Sequence, residues 1–524
     1  MGWSVVRLVR SGAAAHPDAP MLTGAGPHGT VVTRTWAEED ERSSKVANAL
    51  AAAGVGRGDR IAFLDKNGLA YFDVLFGAAK LNAVTVAVNW RLAAPEMAQI
   101  ICDAGASILF VSRDFLGAVG EVEGDIPSVR QVIVVDGEAA PYPSLEAWIA
   151  GVSGADPAIE PDGADVALQL YTSGTTGLPK GAMLTNDNFA SIVPEFTAEL
   201  GMDGTSVNMA AMPLFHIGGS GWAIVGLANG AHTVVVRDVD PALVLDTIVR
   251  DRITHAFLVP AVLQFMLALP GIDHADLSSL QLIAYGASPI ADNVLRRCLT
   301  TFGCGFMQLY GMTETTGAIT LLRAAEHEPG GPHAGRLRSC GVPFRGVSIE
   351  IVDPESGQHA PVGAVGEIWT RSSQNMLGYW RKPDETAATI TADGWLRTGD
   401  AGYRDADGFI YLHDRIKDMI VSGGENIYPA EVENTLMSHP AVADCAVIGV
   451  PSERWGETVK AIVVAAGERP DPAELIGFCR ERLAHFKCPT SVDFTDALPR
   501  NPSGKVLKRQ LRMPYWQGSQ RQIS

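Results

Sequence analysis

Apolar and polar residues alternate along the first 115 positions with a period that switches between those of helices and strands. Thr35 and Glu38 form a capping box, which predicts a helix that runs past Val46 and Leu50 to a stop at Gly54. The segments that follow predict a strand at 60–64, a buried helix at 69–81, a strand at 84–88, a helix at 95–104 and a strand at 108–111. This order is typical of βαβ units, so the sequence predicts an α/β fold with mostly parallel sheets.

The pattern changes twice in the rest of the chain. Between about 342 and 412, short strands are separated by glycine turns, which predicts a small β-rich subdomain. Beyond the segment 414–429, the pattern predicts helices at 430–437 and 472–484 and strands at 442–450 and 459–464. We therefore expect a large N-terminal domain of several subdomains over 1–415 and a small, mobile α+β domain over 416–524.

Length and composition narrow the class of protein. The 524 residues exceed the size of a single core, which stops growing at about 250 to 300 residues. Hydrophobic residues make up 47% and charged residues 19%, as in ordinary globular proteins. The net charge of −18 argues against a general affinity for nucleic acid or for an anionic membrane. An anionic substrate would therefore need local positive charge.

The cysteines, the N-terminus and the hydropathy favour a cytoplasmic protein. The seven cysteines are scattered and include no Cys-x-x-Cys pair, which indicates reduced thiols and no metal site built from them. Arg7 and Arg10 interrupt the first apolar stretch, which is not typical of an export signal. No segment has the 18 consecutive apolar residues of a transmembrane helix. We expect a monomer or homodimer without an integral membrane segment; peripheral membrane contact stays open.

The segment 170–181 is the first whose residue types indicate a binding site. Its sequence is Leu-Tyr-Thr-Ser-Gly-Thr-Thr-Gly-Leu-Pro-Lys-Gly. Gly174 and Gly177 allow backbone N–H groups to converge on an anion, and Lys180 adds a mobile positive charge. The hydroxyl donors are Thr172, Ser173, Thr175 and Thr176. The spacing excludes the usual NTPase loop, because two residues rather than four separate the glycines. The loop predicts a phosphate site, against the alternative of a flexible surface loop.

The order Tyr-Thr-Ser-Gly-Thr-Thr-Gly-x-Pro-Lys-Gly resembles the signature of the adenylate-forming superfamily. This superfamily includes acyl-CoA synthetases, nonribosomal peptide adenylation domains and beetle luciferases. Further segments up to Lys505 match its other motifs in the same order, so the resemblance covers nearly the whole chain. It implies that the loop binds the phosphates of ATP through Thr172, Ser173, Gly174, Thr175, Thr176, Gly177 and Lys180.

The next motifs follow the ends of two predicted strands. Ligands of α/β sheets bind at such strand ends. Gly286, Ala287 and Ser288 follow one apolar stretch, and the resemblance implies that they form a wall beside adenine. The segment Met-Gln-Leu-Tyr-Gly-Met-Thr-Glu at 307–314 matches the superfamily's Tyr-Gly-x-Thr-Glu motif. The resemblance assigns this segment to the nucleotide, with Gln308, Gly311 and Met312 lining it, Tyr310 stacked on adenine, Thr313 bonded to the α-phosphate and Glu314 holding Mg²⁺.

A single histidine, His216, ends the segment Met-Pro-Leu-Phe-His and is followed by glycines at 218, 219 and 221. A histidine in such a place is often structural. The resemblance implies instead that it borders the acyl pocket and gates entry of the carboxylate, with Ile217 and Trp222 along an apolar channel.

The remaining motifs lie towards the C-terminus. Asp400, in Trp-Leu-Arg-Thr-Gly-Asp, matches the superfamily's ribose ligand, and Lys505, in Pro-Arg-Asn-Pro-Ser-Gly-Lys, matches its mobile catalytic lysine. Such a lysine would bridge the carboxylate and the α-phosphate as charge develops. For the domain boundary and the CoA site the resemblance implies Arg415 at the ribose, Lys417 as the pivot, Gly423, Gly424 and Glu425 in a pantetheine tunnel, and Trp455 beside CoA.

The resemblance predicts an ATP-dependent acid:CoA ligase that uses Mg²⁺ and proceeds through an acyl-adenylate, with Lys505, Thr172, His216 and Glu314 as catalytic residues. We expect a medium-to-long-chain fatty acid or another bulky hydrophobic acid. The alternatives are an aryl-acid CoA ligase and an acyl-AMP ligase that passes its product to a carrier protein. A luciferase-like oxygenase and a non-catalytic nucleotide-binding protein are the rivals from other functional classes.

Overall fold

The computed structural model describes residues 2–26, 29–173, 179–288, 290–354, 356–415, 418–422, 425–452, 454–500 and 505–516, without the side chains of Ser173, Asp414, Arg415, Glu425 and Asn426. The described helices are α1 (Val5–Ala15), α2 (Trp36–Ala52), α3 (Leu69–Ala79), α4 (Ala94–Ala104), α5 (Leu116–Glu121), α6 (Leu145–Ile149), α7 (Asn186–Leu200), α8 (Ile217–Ala228), α9 (Pro241–Arg250), α10 (Pro260–Met266), α11 (Asp292–Phe302), α12 (Pro383–Thr389), α13 (Pro429–Met437), α14 (Pro472–Arg480) and α15 (Lys508–Trp516).

The described strands of the N-terminal part are β1 (Pro20–Ala25), β2 (Val31–Thr35), β3 (Arg60–Leu64), β4 (Val84–Ala87), β5 (Ile108–Val111), β6 (Gln131–Val134), β7 (Val166–Ser173), β8 (Pro179–Thr185), β9 (Val207–Ala210), β10 (His232–Val235), β11 (His255–Leu258), β12 (Leu282–Gly286), β13 (Gly305–Met312), β14 (Gly317–Leu322) and β15 (Val342–Pro343). The later strands are β16 (Ser348–Val352), β17 (Gly366–Arg371), β18 (Gly378–Tyr379), β19 (Leu396–Arg404), β20 (Ile410–Arg415), β21 (Ile420–Ser422), β22 (Glu425–Ile427), β23 (Val442–Ser452), β24 (Gly456–Ala465) and β25 (Ser491–Phe494).

Two mostly parallel sheets share one core in the N-terminal part. One has the order β18-β8-β7-β4-β3-β5-β6, and the other has the order β15-β14-β13-β12-β11-β9-β10-β1-β2. Helix α3 is apolar except for Asp73, and Phe72 and Phe76 within it are completely buried in the core to which both sheets contribute. A helix that is apolar nearly all round belongs in an interior, and the one charged residue of α3 is buried and paired. The predicted α/β class is confirmed.

The capping box predicted at the start of α2 is also present. The Glu38 N–H donates to the Thr35 hydroxyl at 3.2 Å, and the Thr35 N–H donates to the Glu38 carboxylate at 2.8 Å. These two bonds satisfy backbone groups that the first helical turn leaves unpaired.

A smaller antiparallel sheet, β16-β17-β19-β20, lies within the region predicted to be β-rich. Two strands of that region join other sheets: β15 pairs with β14 and β18 pairs with β8. The C-terminal part forms a further sheet, β22-β21-β24-β23, with β25 added in parallel to β24. It packs its own core against α13 and α14. It also touches the N-terminal part, where the Gln264 side chain in α10 donates to the Ala443 carbonyl at 3.1 Å.

The structure describes no helix with both the length and the apolar character needed to cross a lipid bilayer.

A buried ionic cluster fixes α2 and α3 to β2. The Arg34 guanidinium donates to Glu39 at 2.9 Å and to Asp73 at 2.5 Å, and Arg42 also bonds to Asp73 at 2.9 Å. Glu39 and Asp73 are completely buried. Burial raises the pKa of Glu39 from 4.5 to about 8, and the neighbouring Asp73 charge acts in the same direction against the opposing effect of Arg34.

Replacing Glu39 by glutamine should therefore flatten the pH dependence of stability. Between about pH 4.5 and 8 the folded wild-type chain binds more protons at this site than the unfolded chain, so its stability falls as pH rises. Glutamine keeps an oxygen acceptor for Arg34 and does not titrate. We expect the Glu39→Gln chain to gain on the order of 1 kcal/mol relative to wild type between pH 5 and 8, measured as thermal midpoints across that range. Parallel profiles for the two proteins would contradict the assigned titration.

Candidate active site

The site is built at the carboxyl ends of neighbouring strands, where ligands of open α/β sheets bind. In the larger sheet, β12 ends at Gly286 and pairs in parallel with β13, which runs to Met312. In the other sheet, β7 ends at Ser173 and returns through β8. The base of the phosphate loop, residues 286–288, the segment 307–314 and Asp400 from β19 therefore lie along one edge.

Strands β7 and β8 bring Thr172 opposite Lys180 and Ser173 opposite Pro179. The predicted phosphate ligands Gly174, Thr175, Thr176 and Gly177 lie outside the described residues, as does the side chain of Ser173. What the structure describes is the base of this loop, with a hydroxyl and an ammonium group on adjacent strands.

Glu314 is a buried carboxylate at the centre of the edge, 5% exposed. The Thr172 hydroxyl donates to its Oε1 at 3.1 Å, and the Tyr379 hydroxyl donates to the same oxygen at 2.8 Å. The Met376 N–H donates to the Glu314 backbone carbonyl at 2.8 Å. Two chain segments that are distant in sequence thus hold one acidic side chain, and one of them also bonds to its backbone.

The structure also brings Tyr310 and Asp400 together. The Tyr310 hydroxyl donates to Oδ2 of Asp400 at 2.8 Å, and both residues are at least nine-tenths buried. Burial and the nearby Asp400 carboxylate raise the pKa of Tyr310 well above its ordinary value, which keeps the hydroxyl protonated and donating. The Thr398 hydroxyl accepts from the Asp400 N–H at 3.1 Å. These bonds orient the Asp400 carboxylate.

Close backbone approach explains two glycines of the predicted nucleotide site. A Cβ on Gly286 would lie 2.1 Å from the Leu309 carbonyl oxygen, and a Cβ on Gly311 would lie 2.0 Å from the Gly317 carbonyl oxygen. Ala287 has φ of 64°, a left-handed conformation that costs a non-glycine residue free energy and is concentrated at functional sites.

The other predicted members of this group lie beside them on β13 and in the turn that follows it. Gln308 is half-buried on β13, and its Oε1 has no hydrogen-bond partner among the described residues. The Met312 N–H donates to the Thr315 hydroxyl at 3.1 Å, Thr313 is buried in the turn, and Ser288 is half-buried after β12.

His216 caps helix α8. Its Nδ1 accepts a hydrogen bond from the Gly218 N–H at 3.1 Å, which places the ring proton on Nε2. Burial lowers the pKa of His216 from 6.5 to about 4, so the ring is neutral at physiological pH.

The glycines that follow His216 differ in the room beside them. A Cβ on Gly219 would lie 2.1 Å from the Pro213 carbonyl, whereas one on Gly218 would meet the edge of the Phe257 ring at 3.0 Å and one on Gly221 would meet the tip of the Ile217 side chain at 3.1 Å. Ile217 is buried, and the Trp222 ring centroid lies 5.9 Å from that of Phe257. An apolar surface therefore lies directly behind the histidine.

The predicted C-terminal residues are described in part. Lys417, Gly423 and Gly424 lie outside the described residues, and for Arg415 and Glu425 the structure gives only the backbone, in β20 and β22. Lys505 is half-buried beside the bridge between Arg500 and Val506. Trp455 is 48% exposed, with the Arg454 guanidinium 4.6 Å from its ring centroid.

Tyr379 was not among the residues predicted for the site. Its segment carries no motif of acid, base or phosphate chemistry, and its contact with Glu314 arises only because β18 pairs with β8. The described residues contain no cluster of three or more His, Cys, Asp or Glu side chains that would hold a metal without a substrate.

Comparison with known proteins agrees with this geometry. Residues 9–380 match the model of the AMP-binding enzyme family, and residues 431–505 match that of the AMP-binding enzyme C-terminal domain. The fatty acid–[acyl-carrier-protein] ligase ScoC of Streptomyces coeruleorubidus is 42% identical over 94% of this chain and 93% of its own length. A feruloyl-CoA synthase from an Amycolatopsis species is 40% identical over 93% of this chain and 96% of its own length.

Among solved structures, ATP-bound MatB from Rhodopseudomonas palustris superposes with a TM-score of 0.87 at 30% identity, covering 98% of this chain and 99% of that one. Both family models and relatives of nearly full length therefore match the chain. The protein belongs to the AMP-binding enzymes, the family of adenylate-forming ligases that use ATP.

Proposed function

We propose that the protein joins a hydrophobic carboxylic acid to CoA through an acyl-adenylate. The observation that carries the proposal is the carboxylate of Glu314, buried yet held by Thr172 at the base of the phosphate loop and by Tyr379. Burying a carboxylate is costly unless its bonds are provided, and a purely structural position here could be filled by a neutral residue. Lys180 lies opposite Thr172, and Tyr310 and Asp400 form a buried pair at the ends of β13 and β19. Together with Glu314, this set of groups suits a nucleoside triphosphate.

The described residues fit a Mg²⁺ ion bound with the phosphates. Mg²⁺ takes one or two protein carboxylates together with phosphate oxygens and water, and Glu314 supplies a carboxylate with hydroxyl groups beside it. Glu314 would hold the ion, and Lys180 would neutralise the phosphates from the neighbouring strand. The ion would supply positive charge to the leaving pyrophosphate.

In the first half-reaction a carboxylate oxygen attacks the α-phosphorus, the bond to the β-phosphate oxygen breaks, and pyrophosphate leaves with that electron pair. We assign Asp400 to the ribose, the wall at 286–288 and Tyr310 to adenine, and Thr313 to the α-phosphate. Lys505 would stabilise the charge that develops between the carboxylate and the phosphate. In the second half-reaction the thiolate of CoA attacks the acyl carbonyl, and AMP leaves.

The second half-reaction is assigned to a rotated C-terminal domain, in which Lys417 is the pivot, Arg415 stays at the ribose and residues 423–425 line the pantetheine path. Trp455 is assigned to the CoA site, since its ring is half exposed and carries a guanidinium group beside it. One cavity would then serve two half-reactions in turn.

The decisive experiment measures AMP and pyrophosphate release with a panel of aliphatic and aromatic acids, each with and without CoA. We expect turnover that needs both an acid and CoA, with medium-to-long-chain fatty acids or other bulky hydrophobic acids as the best substrates. Benzoates or cinnamates that outrun every aliphatic acid would replace this substrate class by the aryl-acid alternative. Absence of pyrophosphate release with every acid would contradict the proposed reaction.

A carrier protein is the one specific alternative to CoA as the thiol that accepts the acyl group. The relative ScoC, at 42% identity, is a fatty acid–[acyl-carrier-protein] ligase. We favour CoA, because the sequence has no spare segment between Asp400 and Pro429 of the kind that such ligases often carry. The contrary result is pyrophosphate release that is independent of CoA and is followed by acyl transfer to a phosphopantetheinylated carrier protein. That result would identify the carrier protein as the acceptor.

Replacing Lys505 by alanine should slow adenylation and spare thioester formation. Loss of one preorganised group that stabilises transition-state charge costs about 10²- to 10³-fold in rate, so pyrophosphate release should fall by that factor. CoA transfer from synthetic acyl-AMP should stay within a few-fold of wild type. Lys508→Ala is the matched control, because the Lys508 ammonium bonds to Glu433 at 2.9 Å within the same domain. An unchanged adenylation rate in Lys505→Ala would refute the assigned role.

His216 can be tested separately as a cap and as a pocket residue. Asparagine is a good helix cap, so His216→Asn should keep the midpoint of unfolding near that of wild type, whereas His216→Ala should lose about 1 kcal/mol. Both variants should lower kcat/KM for the acid while leaving the KM for ATP unchanged. Wild-type activity for the acid in both variants would show that His216 has only the structural role.

The pH dependence of the His216 variants has a defined sign. Since the folded pKa of His216 lies near 4 and the ordinary value is 6.5, the unfolded chain binds the extra proton first as pH falls. Wild type should therefore lose stability between pH 6.5 and 4 in part through this residue, and His216→Asn should lose less. Thermal midpoints across this range measure the difference, and equal losses would contradict the assigned pKa.

A further inference from the structure

Tyr379 reaches the site from an edge strand of only two residues. Strand β18 pairs with β8 so that Gly378 lies opposite Met183 and Tyr379 lies opposite Ala182. The N–H groups of the flanking residues Leu377 and Trp380 donate to β8 carbonyl oxygens at 3.0 and 2.8 Å. Side chains two positions apart on a strand share a face, so Tyr379 lies diagonally across from Lys180.

The Tyr379 side chain contacts two charged groups at once. Its hydroxyl donates to Oε1 of Glu314 at 2.8 Å, and the Lys180 ammonium lies 5.1 Å from its ring centroid. The side chain is 7% exposed, so both contacts are made away from bulk water. The ring attracts the cation through its face and the hydroxyl donates to the anion through its edge, which are separate parts of one residue.

The same segment also fixes the backbone turn that carries Glu314. The Met376 N–H bonds to the Glu314 carbonyl at 2.8 Å. The Gln374 amide donates to the carbonyl oxygens of Thr315 and Ala318, both at 2.8 Å. The Thr316 hydroxyl donates back to the Gln374 carbonyl at 2.6 Å, at a residue whose φ is 53°. Residues 374–380 therefore hold the turn and its carboxylate together.

Tyr379 is itself held by helix α12. Its N–H donates to the Thr386 hydroxyl at 2.9 Å. A Cβ on Gly378 would lie 2.8 Å from the Thr386 methyl group, so glycine is needed for this close approach. The position of the Tyr379 hydroxyl is thus set by backbone pairing on one side and by helix packing on the other.

We propose that Tyr379 is a positioning residue that sets the metal affinity of the ATP site through Glu314, and the phosphate affinity through Lys180. The inference rests on the proposed function, in which Glu314 holds the ion. Both hydroxyl donors, Thr172 and Tyr379, bond to Oε1. Neither hydroxyl bonds to Oε2, and the two hydrogen bonds to Oε1 hold the rotamer that a metal would otherwise have to select.

The experiment measures ATP binding to the full chain by calorimetry, first in EDTA and then across a series of Mg²⁺ concentrations. Tyr379→Phe keeps the ring beside Lys180 and removes the hydroxyl. We expect the Mg²⁺ concentration that gives half of the full enhancement of ATP binding to rise about tenfold, the lower end of the range for loss of a group that orients a metal ligand. ATP affinity in EDTA should match that of wild type.

Tyr379→Leu removes the ring as well, and should also weaken ATP binding in EDTA by several-fold. The matched control is Tyr285→Phe. Tyr285 is another buried tyrosine, and its hydroxyl bonds to Nε2 of His327 at 3.0 Å rather than to Glu314. The Tyr285→Phe variant should lower the thermal midpoint to a similar extent as Tyr379→Phe. It should leave unchanged both ATP binding in EDTA and the Mg²⁺ dependence of ATP binding. Such a result would separate positioning from a general loss of stability.

The Glu314→Gln variant distinguishes a failure of the metal assignment to Glu314 from a failure of the inference about Tyr379. If Glu314→Gln shifts the Mg²⁺ dependence and Tyr379→Phe does not, the role of Glu314 stands and the inference about Tyr379 is overturned. If Tyr379→Phe weakens ATP binding equally in EDTA and in Mg²⁺, the hydroxyl supports only the fold, which also overturns it. If Glu314→Gln leaves the Mg²⁺ dependence unchanged, the metal assignment itself fails, and the inference fails with it.

Discussion

A buried carboxylate has to be supplied with hydrogen bonds, and this constraint on Glu314 shapes much of the N-terminal part of the chain. Removing an ionised group from water costs several kcal/mol unless donors replace the lost hydration. Two hydroxyl groups from separate segments do so here, one at the end of β7 and one on β18. The two sheets are thereby joined at the edge where the nucleotide is proposed to bind, in addition to the apolar core between them.

The arrangement also separates the parts that would recognise the nucleotide from those that would recognise the acid. The nucleotide side rests on backbone approach and buried polar pairs, such as Tyr310 with Asp400. The acid side rests on helix α8, which begins at the neutral ring of His216 and continues into apolar packing with Phe257. Nucleotide recognition would depend on fixed backbone and side-chain positions, whereas acid recognition would depend mainly on the shape of the apolar surface.

Much of this organisation follows from local sequence patterns. The capping box at Thr35 and the apolar periods of the first strands predict their elements because each signal lies within a few residues. Side-chain roles at Glu314 and Asp400 came from motif resemblance, and the structure brings both into one edge. The contribution of Tyr379 lies beyond such signals, since it depends on pairing between strands almost 200 residues apart. The bond from Tyr310 to Asp400 and the low pKa of His216 likewise arise from burial, which no local pattern encodes.

The three glycines at the start of α8, at positions 218, 219 and 221, differ in how a substitution could be accommodated. Gly219 is locked by the Pro213 carbonyl, so any side chain there would displace the backbone. A Cβ on Gly218 or Gly221 would meet side-chain atoms instead, at 3.0 and 3.1 Å, so a substitution there would require a side chain rather than the backbone to shift. Descendants of this chain could thus alter the surface proposed to contact the acid by small substitutions at two positions of one helical turn. The nucleotide edge would stay intact through such changes, so a lineage could explore new acids without first losing its capacity to use ATP.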